Sequence, residues 1–168
     1  MKNKLSLAIG SGLCVCVAAV MCLASASRAL QQSSGKSASG QQTYVEPPVK
    51  IPSYHSAPPA KPLAATMDPA QFSDALTRNS YAMAAKVKNV LYQQPCFCYC
   101  DQNDGHHSLY DCFVTEHASG CNICRYEAIL AYEETRKGVS AAQIRKEIIR
   151  GDWKKIDPNA YSTVLDVK

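Results

Sequence analysis

The stretch CNICRYEAILAYEETRKGVSAAQIRKEIIRG (Cys121–Gly151) reads as two consecutive helices with their ends marked. Ile123, Ala128, Ile129 (or Leu130) and Tyr132 supply an apolar face at helical spacing. Arg136 and Lys137 fall in the last turn of the first helix, where its dipole favours cations, and Gly138 follows as a stop. Ser140 and Gln143 have capping-box spacing for a second helix, which Gly151 closes. Upstream, Asp68-Pro69 looks like another helix start, with Asp68 as N-cap. That segment can run to about Gln93, using Phe72, Leu76, Tyr81, Val87, Val90 and Leu91, before Pro95 ends it. Its imperfect spacing predicts a break near Asn79-Ser80. Asp101, Asn103, Asp104 and Gly105 make Cys96–Gly105 a loop. Ser108 can cap a short helix through about His117, with Asp111 as its capping-box partner, and Gly120 breaks it. Nothing alternates as a strand, so the expected fold is small and all-α, three to four helices within residues 67–157.

The flanks have a different character. Lys2 and Lys4 precede an apolar run from Leu5 to Leu23, and Ala24-Ser25-Ala26 offers a cleavage site. Residues 1–26 therefore read as a signal peptide or a membrane anchor. Cys22 follows Ala-Val-Met rather than the small residues that normally precede a lipid-modified cysteine. Everything after Ala26 is then expected outside the cytoplasm, periplasmic or membrane-tethered, where disulfides can form. Residues 27–66, rich in Ser, Gln, Ala and Pro, read as a disordered linker, and residues 158–168 as a tail. Without Lys2 and Lys4, sixteen basic residues face fourteen acidic ones, a balance too even to imply nucleic acid. A membrane or envelope protein is the expected protein partner.

The chemistry is concentrated in one window. Of nine cysteines, Cys14, Cys16 and Cys22 belong to the leader. The other six, Cys96, Cys98, Cys100, Cys112, Cys121 and Cys124, share a short segment with His106, His107 and His117. On an extended chain Cys98 would point away from Cys96 and Cys100, so convergence of the three requires a curled loop. Cys121 and Cys124 lie on one face of a helix N-terminus, where the dipole favours thiolate. His117 can reach the same place across Gly120. Thiolates with imidazoles suit Cu(I) and Zn(II) and are wrong for calcium or magnesium. Closely spaced thiolates with few carboxylates lean toward copper, while four Cys/His ligands equally satisfy tetrahedral zinc. Six is also an even number, so three structural disulfides are a standing alternative. Against it, a Cys-x-Cys bridge closes a strained ring, leaving only Cys112, Cys121 and Cys124 as partners for the first three. Dithiol exchange at Cys121/Cys124 is a third reading, without a βαβ pattern around the pair. Arg125 stands where a haem-c attachment motif needs histidine. Phe97 and Tyr99 are expected to cover the site, Glu127 to be an exposed helical glutamate, and His55 a solvated linker residue.

Pro95, Cys96, Cys98 and Cys100, then Cys112-Phe113, His117, Cys121 and Cys124, then Gly138, Ser140, Ile144 and Arg145 together resemble the bacterial PCYCGC-motif (lipo)protein family. The likeness spans about Tyr92 to Arg150, with Phe97 in place of the motif's tyrosine and Tyr99 in place of its glycine. It implies an exported, Cys-rich, metal-binding protein with no established enzyme activity. The expected function is metal buffering or delivery, copper(I) first and zinc second, not enzymatic turnover. The leading ligands are Cys96, Cys98, Cys100, Cys121 and Cys124, followed by Cys112, His106 and His117. Helical order is expected to depend on the metal.

Overall fold

In a computed structural model of the protein, which describes residues 48–168, every regular element is helical. The leader and the first part of the expected linker lie outside the described residues. Three long helices, α1 (Ala75–Leu91), α4 (Asn122–Arg136) and α5 (Ala141–Arg150), are joined by two single turns, α2 (Cys100–Asn103) and α3 (Asp111–Val114). None of the described helices is long and apolar enough to cross a membrane.

Local chemistry sets the helix ends. Gly138 and Gly151 both take φ 82°, the left-handed conformation in which a side chain would be strained, and each stops its helix where expected. The Ser140 hydroxyl accepts from Gln143 N, but the Gln143 side chain turns to Glu147, so only half of the capping box forms. Asp68 caps no more than a 3-10 turn, Pro69–Gln71. Phe72 is then extended, and Asp74 starts α1 by accepting from Thr77 N and Thr77 Oγ1 at 2.8 and 2.7 Å. The predicted break at Asn79-Ser80 is absent, because both residues are buried within α1. The one irregularity inside α1 is at Val87, with φ −119° and ψ 23°.

Thr77, Tyr81, Ala84, Val87 and Leu91 form the buried stripe of α1, which lies along the Cys124, Ala128 and Ala131 face of α4. The fully buried alanines Ala84, Ala128 and Ala131 let the two helices approach closely. Ile144 and Ile148, one turn apart on α5, are fully buried where α5 packs on α4. Tyr81 packs between Phe72, tilted, and Phe113, edge-on, and donates its hydroxyl to Thr115 O, tying α1 to the turn region.

Both flanking segments are more integrated than their composition predicts. Residues 48–66 contain no helix or strand, as a proline-rich stretch should, but they are strapped to the helices. Pro52 is buried, Ser53 donates from N and Oγ to Asp101, and Lys88 Nζ and Tyr110 OH donate to Leu63 O and Ala64 O. His55 is not a free solvated side chain: its ring stacks on Tyr92 at 3.8 Å. The tail is held as well. Asn79 Nδ2 donates to Tyr161 O and Thr163 O, Leu165 N donates to Asn79 Oδ1, and Tyr132 OH donates to Lys168 O. Such segments cannot bury enough of their own surface to order alone, yet they order on a surface already built.

Candidate metal centre

The Cys96–Cys100 segment leaves α1 through Gln94. This buried side chain donates to Val90 O and Ala141 O, and the Gln94 backbone carbonyl accepts from Leu109 N at 2.9 Å. Tyr99 N donates to Cys96 O, and Tyr99 itself takes φ 60° and ψ 31°. This left-handed residue reverses the chain and starts α2 at Cys100. The expected curl is therefore real, but it is made at Tyr99 and includes a helical turn, where the sequence predicts a loop through Gly105. Its result is that the sulfurs of Cys96, Cys98 and Cys100 lie within 4.8 Å of one another. A glycine at this position would make the reversal without strain. Here the tyrosine ring packs edge-on to Phe97, and its hydroxyl donates to Lys50 O in the strap.

The downstream donors come from short turns. The Asp111 carboxylate accepts from His107 N and Ser108 N, fixing the entry to α3, which carries Cys112. His106 Nδ1 lies 3.3 Å from Cys112 Sγ. A 3-10 turn, Glu116–Gly120, carries His117, whose Nε2 lies 3.5 Å from Cys98 Sγ and whose Nδ1 faces Asp104 at 3.7 Å. Cys121 is the N-cap residue of α4, and Cys124 is fully buried in its first turn. The sulfur separations are 3.3 Å for Cys96–Cys98, 3.4 Å for Cys96–Cys124 and Cys100–Cys112, and 3.6 Å for Cys98–Cys124. All six described cysteines are free. These spacings exceed a disulfide bond of about 2.05 Å. They approach the edge of about 3.8 Å of a tetrahedron of sulfurs around a zinc-sized ion. The donors fall into overlapping sets: Cys98, His117, Cys121 and Cys124; Cys100, His106, Cys112 and His117; and two sulfur triads that share Cys96. All eight sequence-predicted ligands are thus brought together, while the exposed His107 belongs to none of these sets.

The protonation pattern differs from the expected one. Cys121 and Cys124 do not become thiolates at the helix N-terminus. Hydrogen bonding within the cluster, to Cys112 and Cys121, pushes Cys124 up. Cys121 is also raised: its bond to Cys124 pulls it down, but Cys98 and burial outweigh that. Cys98 and Cys112 are instead pulled down by sulfhydryls donated from neighbours, Cys100 foremost, with Cys112 brought to about 4. Burial opposes a charge on His117, yet its bond to Cys98 and the nearby thiolate charges raise it overall. A metal ion held here would displace protons from the sulfurs that bind it.

Sequence reasoning left Glu127 on the surface; it is completely buried beneath the cluster. Its Oε1 accepts from Phe97 N at 2.9 Å, whereas Oε2 has no hydrogen-bond partner. Burial pushes its carboxyl well above the ordinary value. The available signal was helical phase, since Glu127 follows Cys124 by three positions on the face that carries Ala128 and Ala131. The strap closes the opposite side, where Pro52, Ser53 and Asp101 stand over Cys96, Cys100 and His106 and leave no room for a water molecule.

No curated protein and no solved structure matches the chain. A family model does match residues 65–155, more than half of the chain and all eight candidate ligands, and the protein belongs to the family described as proteins of unknown function with a PCYCGC motif.

Proposed function

We propose that this protein is an exported metal-binding protein that buffers or delivers copper(I), with zinc(II) the second choice. The single observation that carries the reading is the convergence of six free thiols and two imidazoles, from several turns and loops and a helix end, on one largely buried spot. Four of the sulfurs, those of Cys96, Cys100, Cys112 and Cys124, belong to residues at most 3 % exposed. A purely apolar core has no need of such a set, and soft donors of this kind favour Cu(I) over harder ions. A carboxylate lies near only one of the imidazoles, that of His117. Export rests on the leader-like residues 1–26. A binding role is preferred to dithiol exchange because the described elements around Cys121 and Cys124 are all helical, with no βαβ unit.

Free-thiol titration and elemental analysis on protein isolated from the exported fraction test this reading. Reduced cysteines with copper near a whole-number ratio support it. Complete oxidation into bridges with no metal removes it, and zinc in place of copper moves the assignment to the second choice. A fusion of residues 1–45 to a reporter active only outside the cytoplasm tests export separately.

A further inference from the structure

We propose that the centre is polynuclear and holds two metal ions joined by the Cys96 thiolate. The inference rests on the metal-binding reading above and adds the number of ions and the bridge. One tetrahedral ion takes four ligands, whereas eight donor residues converge here. Seven of the donors fall into a four-donor and a three-donor set, and Cys96 completes the second while adding, as the bridge, a fifth donor to the first. Cys98, His117, Cys121 and Cys124 form one complete four-donor set. Cys100, His106 and Cys112 belong to a second set, whose remaining member, His117, is already directed by Nε2 toward Cys98. The vacancy in the second set is filled by Cys96, which shares donor triads with Cys100 and with Cys112.

Cys96 is also the residue that cannot belong to one set alone. Its sulfur lies 3.3 Å from Cys98 Sγ and 3.4 Å from Cys124 Sγ in the first set, closer than those two lie to each other. A buried thiolate between two cations is the usual way for soft ions to share ligands, because sulfur retains lone pairs after binding the first ion. Charge points the same way. One ion would leave at least four of these donors unused, in a cluster whose Cys96, Cys100, Cys112 and Cys124 are buried. Two ions employ all eight, and two divalent ions such as the second-choice zinc offset four of the six negative charges that full deprotonation creates.

The test uses the full chain, reduced and stripped of metal, titrated with cadmium(II) as a soft probe that reports by NMR. Two cadmium ions per chain by native mass spectrometry are expected, with two resonances split by coupling through a shared sulfur. Cys96→Ser should abolish the splitting, while Cys121→Ser should perturb one resonance more than the other. The coupling in the unsubstituted protein is decisive even where a variant folds poorly. One ion per chain overturns the inference but leaves the metal-binding reading standing. Two uncoupled resonances overturn the bridge. No cadmium bound overturns both.

Discussion

Replacing Glu127 by glutamine probes how the cluster is supported. Glu127 is fully buried, with one carboxylate oxygen accepting from Phe97 N and the other unpartnered. A carboxyl in that position is held neutral above its ordinary value of 4.5. The folded state then binds a proton that the unfolded chain releases once the pH passes 4.5. Stability from this group is complete below the unfolded value and is lost as pH rises toward the folded one, at about 1.4 kcal/mol per pH unit. Glutamine keeps the oxygen that accepts from Phe97 N and does not titrate. Wild-type stability relative to E127Q should therefore fall as the pH is raised. The surrounding thiols titrate in both proteins, so the difference between the two isolates Glu127. Alanine behaves differently, because it orphans the Phe97 N–H at about 1–3 kcal/mol and opens a cavity as well. E127A should be less stable than E127Q by about 2 kcal/mol or more. Urea unfolding of reduced, metal-free protein between about pH 5 and pH 7, followed by far-UV circular dichroism, measures both effects. Parallel pH profiles for wild type and E127Q, or equal stability of E127A and E127Q, would refute the view of a neutral buried carboxyl holding the cysteine loop.

Two further substitutions test the chain reversal and the tail. At Tyr99, with φ 60°, glycine should be tolerated within about 1 kcal/mol, because relief of left-handed strain offsets the lost bond to Lys50 O. Valine, β-branched, should cost roughly 1–3 kcal/mol more than glycine by thermal or urea denaturation, and equal stability of the two would contradict the geometry. Asn79→Ala removes three hydrogen bonds to Tyr161, Thr163 and Leu165. It should cost about 1–3 kcal/mol and expose the tail to limited proteolysis, and an unaltered digestion pattern would show that the tail is held by other contacts.

What was legible in the sequence is what local chemistry decides. Gly138, Gly151, Ser140 and Pro95 announce their turns because left-handed backbone, capping and a missing N–H act on neighbours along the chain. Asp68 and Asp74 both have cap chemistry, and the choice of Asp74 for α1 accompanies the packing of Phe72 on Tyr81, a contact that no local pattern contains. The eight ligands were legible by residue type and crowding. Their electrostatics were not, since the thiolate preference of a helix N-terminus is reversed at Cys121 by sulfurs arriving from Cys98 and beyond. Glu127 was missed for the same reason: what buries it is the Cys96–Cys98 segment, distant in sequence.

This division between local and distant causes also predicts what metal removal does. The sequence alone suggests that helical order as a whole depends on the ion. The distribution of the donors predicts a narrower dependence. Of the eight donors, only Cys124 lies within a long helix and Cys121 at its cap; the others are on α2, α3, a 3-10 turn and the loops between them. Those turns are too short to persist by themselves. They are held by single clamps such as Gln94, Asp111 and Glu127, and by the donors themselves. By contrast α1, α4 and α5 share an apolar core of Tyr81, Leu91, Ile129, Ile144 and Ile148 that needs no ligand. Chelation should therefore speed amide hydrogen exchange across residues 96–120 while the α1 and α4 amides stay protected. The far-UV signal should fall only slightly. Uniform loss of protection across all helices would instead mean that the ion is the core, and that the packing of α1 on α4 cannot stand without it.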